Sequence, residues 1–228
     1  MNVEVCANSF FSARVAQDLG ASRVELCEDL RLDGLTPSYP LIEKVTSELN
    51  IPVHILIRPR AGDFNYTSSE INTIQHQIEQ VKILPISGIV VGHLNSNGTL
   101  DPILLNEWRS QCEHLEITFH RAFDRISQPH KALDVLIEAK FNRILSSGQA
   151  ANAVMGLDKL LEWQNYVAGK IDIMPGGGIN HRNAHYFLDK GFLALHLSAK
   201  ASNTDPEMEP IIDPETLKKV LKLVKDVE

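Results

Sequence analysis

Eight short segments rich in β-branched and aromatic residues recur along the chain: Val3 to Cys6, Arg23 to Cys27, Val53 to Arg58, Gly88 to His93, Glu116 to Arg121, Asn142 to Ser147, Ile171 to Met174 and Leu193 to Ser198. Separations of a dozen or more residues suit crossover helices and parallel pairing rather than hairpins. The punctuation between the segments is helical. Asn8 or Ser9 can cap a helix ending at Leu19 with Gly20 after it, and Thr67-Ser68-Ser69-Glu70 reads as a capping box. Asp101-Pro102 and Asp213-Pro214 each place a capping carboxylate before a first-turn proline, the second opening a last helix over about 213–227. Asn180 and Gly191 bracket a further expected helix, His181 to Lys190. Eight parallel strands alternating with helices in 228 residues, without an interdomain linker, predict one closed (β/α)8 barrel of the TIM type, a single α/β domain over 1–228, rather than an open doubly wound sheet. The long irregular pieces are Gly34 to Ser38 and Ser202 to Pro214.

Such a barrel needs a core, and 43% hydrophobic with 22% charged residues is ordinary globular usage that argues against a disordered chain. Twenty-two Lys and Arg against 29 Asp and Glu give a net charge of −7, the wrong sign for gripping phosphate backbones, so no nucleic acid is expected as partner. The start, MNVEVCANSFF, lacks a basic region followed by an apolar stretch, and no apolar run approaches the length of a membrane span. Three cysteines without zinc-ribbon or CxxC spacing give no disulfide framework and suit a reducing, cytoplasmic setting. HExxH, serine nucleophile elbow and Walker loop are all missing from the sequence.

Strand parity sorts the side chains into two faces. With Val3, Val5, Val24 and Leu26 turned to the helices, Glu4, Cys6, Glu25 and Cys27 point into the barrel. The third strand adds His54, Leu56, Arg58 and Arg60, the fifth Thr118 and His120, the eighth Ala194, His196 and Ser198. Barrel interiors are mostly branched and apolar, and sites of this architecture lie at the strands' C-terminal ends, so a lumen this charged marks a candidate site. The competing reading is a self-satisfied network of Glu4, Glu25, Arg58 and Arg60, with Glu25 paired to Arg58. If the protein is an enzyme, His120 or Glu25 would serve as acid or base while Arg58 and Arg60 orient a small anionic or phosphorylated metabolite. The loop Gly176-Gly177-Gly178 after strand seven and Ser198-Ala199-Lys200 after strand eight stand where barrels often hold phosphate on backbone N–H groups. Cys6 and Cys27, on neighbouring strands about 5 Å apart, could instead share one soft Cu(I) ion as thiolates of lowered pKa. Cys112 reads as a small buried hydrophobe.

Four motifs carry a resemblance: Gly34-Leu35-Thr36-Pro37-Ser38, Ile57-Arg58-Pro59-Arg60-Ala61-Gly62-Asp63-Phe64, Thr118-Phe119-His120-Arg121-Ala122-Phe123-Asp124 and Arg143-Ile144-Leu145-Ser146-Ser147-Gly148. In this order, over residues 1 to about 200, the chain resembles the CutC copper homeostasis family. The resemblance implies a (β/α)8 barrel, a cytoplasmic protein and frequent self-association into homo-oligomers. It also places Cys6 and Cys27 where that family's proposed Cu(I) ligands lie. Asp33 replaces the first glycine of the usual Gly-Gly-Leu-Thr-Pro-Ser, Leu56 stands where methionine is common, and Ser146 where threonine is common.

Overall fold

The computed structural model describes residues 1–200 and 212–227, so most of the irregular stretch from Ser202 to Pro214 lies outside the described residues. Eight parallel strands form one sheet: β1 (Asn2–Ala7), β2 (Arg23–Leu26), β3 (Val53–Leu56), β4 (Gly88–Val91), β5 (Glu116–Phe119), β6 (Arg143–Ser146), β7 (Asp172–Pro175) and β8 (Ala194–Leu197). Neighbours run in chain order from β7 back to β1, and β8 then pairs with β1. A parallel bridge between Gly176 and His196 spans the remaining β7–β8 seam, giving the nearly closed barrel that the spacing predicts.

Among the described residues α-helices follow seven of the strands: α1 (Phe10–Leu19), α2 (Tyr39–Glu48), α3 (Ser68–Val81), α4 (Pro102–Gln111), α5 (Pro129–Glu138), α6 (Leu157–Val167) and, after β8, α7 (Pro214–Lys225). The expected caps are present. Ser9 Oγ accepts from Ser12 N–H, Thr67 and Glu70 form a reciprocal box, and Asp101 and Asp213 each accept from two backbone N–H groups. The helix expected over His181 to Lys190 is not one: only a 3-10 turn, Ala184–Tyr186, forms there. Asparagine side chains outcompete the helix for the backbone. Asn183 Oδ1 accepts from Asn180 N–H at 2.8 Å, while both side-chain amides donate to Gly178 O.

Alternate strand residues divide the interior. Val3, Val5, Val24, Leu26, Ile55 and Ile89 belong to the large apolar shell under the helices. Two small clusters fill opposite parts of the lumen, Cys6 with Cys27, Leu56 and Val90 on one side and Leu145 with Met174 and Ala194 on the other. Between and below them the lumen is ionic, but with membership different from that expected. Register sets Glu4 opposite Arg23 on β2 and opposite His196 on β8. Arg23 Nε donates to Glu4 Oε2, and its Nη1 lies 3.8 Å from Glu116. Arg143 joins Glu116 at 3.1 Å to Asp172 at 3.0 Å. Glu25 and Arg58 do not pair: β3 stops at Leu56, so Arg58 and Arg60 leave on the loop beyond the lumen.

The Glu4 carboxylate is fully buried, so its cation decides whether it is tolerable there. Arg23→Met should cost about 3–5 kcal/mol in a denaturant series, as for other buried pairs broken on one side. Adding Glu4→Gln should recover part of that loss; strictly additive losses would show that the two side chains are not coupled.

Candidate functional site

At the strands' C-terminal ends lies a cavity of about 710 Å³, within the range of small-ligand sites. Its floor on the β1, β2 and β8 side is Cys6, Glu25 and His196. Cys6 stands in register with Glu25, not with Cys27, which is two residues further on. The thiols nevertheless converge, with Cys6 Sγ and Cys27 Sγ 3.5 Å apart. Cys27 is completely enclosed behind Cys6. One ligand atom each from Cys6, Glu25 and His196 lies within 4.8 Å of the others.

The electrostatics of this floor follow from burial and three charged neighbours. Desolvation opposes the Glu4 anion, but His196 and Arg23 overcome it and hold the carboxyl well below its usual range. Desolvation likewise opposes the His196 cation, yet Glu25, Cys6 and Glu4 together raise its pKa well above the ordinary value. His196 Nδ1 lies 2.8 Å from Glu4 Oε1 and 3.8 Å from Glu25 Oε2. Glu25 receives less compensation. Burial lifts it to about 7 despite His196, and its Oε2 has no hydrogen-bond partner. The sequence reading expects thiolates of lowered pKa; the structure corrects this. The Cys27 hydrogen bond and burial push the Cys6 thiol well up, so at rest Cys6 holds its proton.

The remaining expected site residues divide between cavity and scaffold. Arg58 reaches the cavity wall, but its guanidinium donates to Leu32 O, Gly34 O and Gly62 O at 2.6, 2.8 and 3.2 Å. It ties the Gly-Leu-Thr-Pro-Ser loop to its own loop. Arg60 is absent from the cavity lining: it pairs with Asp63 at 2.9 Å and with Glu70 of the α3 capping box. His120 faces the cavity just past β5, fitting where a Cβ on Gly92 would come within 2.6 Å of its ring. Its Nδ1 accepts from Ala122 N–H, and burial beside Arg58 drops its pKa to about 3. It is therefore a neutral imidazole with its proton on Nε2. Gly177, Gly178 and Lys200 line the cavity, whereas Gly176 is taken up in the β7–β8 bridge.

Two features escape residue-by-residue reading of the sequence. Parity puts His196 in the lumen without revealing that β8 sets it beside Glu4 and Cys6. Asp124, from the His-Arg-Ala-Phe-Asp motif, accepts from Ser146 Oγ, Ser147 N–H and Oγ, Gln149 N–H and Arg121 Nε, latching two motifs together at the rim. The recurrence of charged and hydroxyl residues in those motifs was the available signal.

The fold and site define a class: a (β/α)8 barrel with a polar lumen and a thiol pair beneath its C-terminal mouth. Comparison with known proteins narrows it. The model of the CutC family matches residues 1–201. The CutC family protein of Histophilus somni is 41% identical over 201 residues, 88% of this chain and 83% of that one, and its counterpart in Bacteroides thetaiotaomicron is 41% identical over 87% and 81%. A crystal structure described as that of a candidate copper homeostasis protein CutC from Streptococcus agalactiae superposes with a TM-score of 0.82 at 30% identity, covering 87% of this chain and 98% of that one. This chain belongs to the CutC family. Phosphoribosyl anthranilate isomerase from Thermus thermophilus, 13% identical with a TM-score of 0.61 over the full length of both chains, shares the fold alone.

Glu25 makes stability depend on pH in a definite direction. A carboxyl of pKa about 7 when folded and near 4.5 when unfolded binds more protons in the native state between those values, so stability falls as pH rises through that window and levels off above it. Glu25→Gln removes this slope. The variant should gain on the wild type by at most about 3 kcal/mol between pH 4 and pH 8, measured by chemical denaturation; a pH-independent difference would show that the carboxyl is not destabilised by burial.

Proposed function

We propose that the protein binds Cu(I) through Cys6 and Cys27, with His196 as third ligand, and serves copper homeostasis in the cytoplasm. The observation that carries this reading is the pair of free thiol sulfurs 3.5 Å apart beside His196 at the cavity floor. Thiolate and imidazole are soft and borderline donors of the kind that select Cu(I). At metal–sulfur lengths of about 2.3 Å, sulfurs at that spacing subtend about 100° at a shared ion. The pair is therefore bent rather than linear, and a third donor completes it. With Nδ1 directed to Glu4, the other ring nitrogen of His196 is left for the metal, and Glu4 is in turn held by Arg23. A carboxylate behind a ligating imidazole fixes its tautomer and raises its basicity. Glu25, a hard oxygen donor, fits the part of proton acceptor better than that of ligand. All three cysteines are free of disulfides, as the reducing setting that this reading assumes requires.

Anaerobically reduced protein should bind about one Cu(I) per chain in competition with a soft chelator. Cys6→Ser and Cys27→Ser should each weaken it by at least about a hundredfold, and Glu4→Gln by about tenfold through His196. Because thiols and imidazolium must lose protons to the metal, apparent affinity should rise with pH from 6 to 8. Wild-type affinity in both cysteine variants would overturn the assignment.

A further inference from the structure

The cavity has a second wall, on the β5 to β8 side, to which the thiol pair gives no role. Arg121, just past β5, is fixed there: Nε donates to Asp124 Oδ2 at 2.9 Å and Nη2 to Ser147 Oγ at 2.8 Å. Its Nη1 has no hydrogen-bond partner among the described residues. The loop after β7 lies directly against this guanidinium. A Cβ on Gly177 would crowd Arg121 Cζ at 3.2 Å, and the backbone there has φ +101°, a conformation that favours glycine. Gly177, Gly178 and Ile179 all line the cavity; the Gly177 N–H turns to β8 in the Gly176–His196 bridge, while those of Gly178 and Ile179 make no hydrogen bond among the described residues. Arg182 and Lys200, both exposed at their side chains, line the same wall.

This is a dense set of donors in a chain whose net charge is −7. The carboxylate on this wall, Asp124, is already occupied by five donors and offers an arriving anion little repulsion beyond what Arg121 offsets. Two consecutive free amides, a guanidinium edge and two further cations exceed what the two oxygens of a carboxylate can accept, and match the three terminal oxygens of a phosphate. The cavity's volume of about 710 Å³ exceeds what an inorganic ion fills and continues to Glu25 and His196. We propose that this wall binds the phosphate group of a small phosphorylated metabolite, through Arg121, Arg182, Lys200 and the amides of Gly178 and Ile179, with the organic part extending toward Glu25. The phosphate-binding groups include none of the copper ligands, and Arg121 takes the place that sequence reasoning gives to Arg58 and Arg60.

Thermal shift and titration calorimetry on the whole reduced, metal-free chain, at fixed ionic strength, test this with glycerol 3-phosphate, inorganic phosphate and glycerol. Glycerol 3-phosphate should raise Tm by mass action, inorganic phosphate less so, and glycerol not at all. Arg121→Gln should weaken glycerol 3-phosphate binding by about tenfold or more. Because Arg121 also braces Asp124, the double variant Arg182→Gln with Lys200→Gln, at exposed positions, gives a second reading and should lose at least about tenfold. Cys6→Ser should keep full phosphate affinity while losing Cu(I), so either assignment can fail alone. Absence of any shift with both phosphate probes, an equal shift from sodium chloride, or unchanged affinity in the double variant would overturn the proposal.

Discussion

A fully buried carboxylate at the centre of the barrel has to be neutralised by its neighbours, and the fold meets that demand through strand register. Glu4 sits on β1, which pairs with β2 on one side and β8 on the other, opposite Arg23 on β2 and His196 on β8. A slip of one residue in either pairing would turn the partner out of the lumen and leave the carboxylate uncompensated. The ion cluster below therefore specifies how β8 pairs with β1, and the same pairing carries His196 to the thiol pair. What sets the register of β8 also builds the site.

The alternation of strand and helix, the caps at Ser9, Thr67, Asp101 and Asp213, and the inward set Glu4, Cys6, Glu25 and His196 were legible in the sequence because each depends on local periodicity or local hydrogen bonding. Three things were not. Parity says which way a side chain points but not how far along the axis it sits, so Cys6 reads as the partner of Cys27 when its register partner is Glu25, and Arg58 reads as the partner of Glu25 when the chain has already left the strand. Punctuation marks a helix over His181 to Lys190, but the asparagines that could cap it bond to the loop instead. Arg60 reads as lumenal by counting alternate residues past Leu56, where β3 has ended.

The family motifs acquire a physical meaning from these contacts. Arg58 clamps the Gly-Leu-Thr-Pro-Ser loop through backbone carbonyls, and Asp124 clamps the Ser-Ser-Gly turn through hydroxyls and amides. Neither residue requires chemistry to explain its type. Both hold irregular segments rigid at the mouth, where the barrel's regular hydrogen bonding has run out. A cavity framed this way is preorganised, and ordering its loops adds little to the cost of binding.

The two walls of that cavity differ in chemistry because they are built from different levels of the same strands. On the β1 and β2 side the functional atoms come from within the sheet, enclosed enough that burial raises the pKa of the Cys6 thiol and of the Glu25 carboxyl alike. On the β5 to β8 side they come from loops past the strand ends, where cations stay hydrated and charged. A soft metal that displaces protons suits the first environment, and a charged, solvated anion suits the second. His196 stands where they meet. On β8 it pairs with Glu4 below and bridges to Gly176 at the head of the glycine loop, so the residue that tunes the thiol floor also anchors the strand from which the anion wall departs.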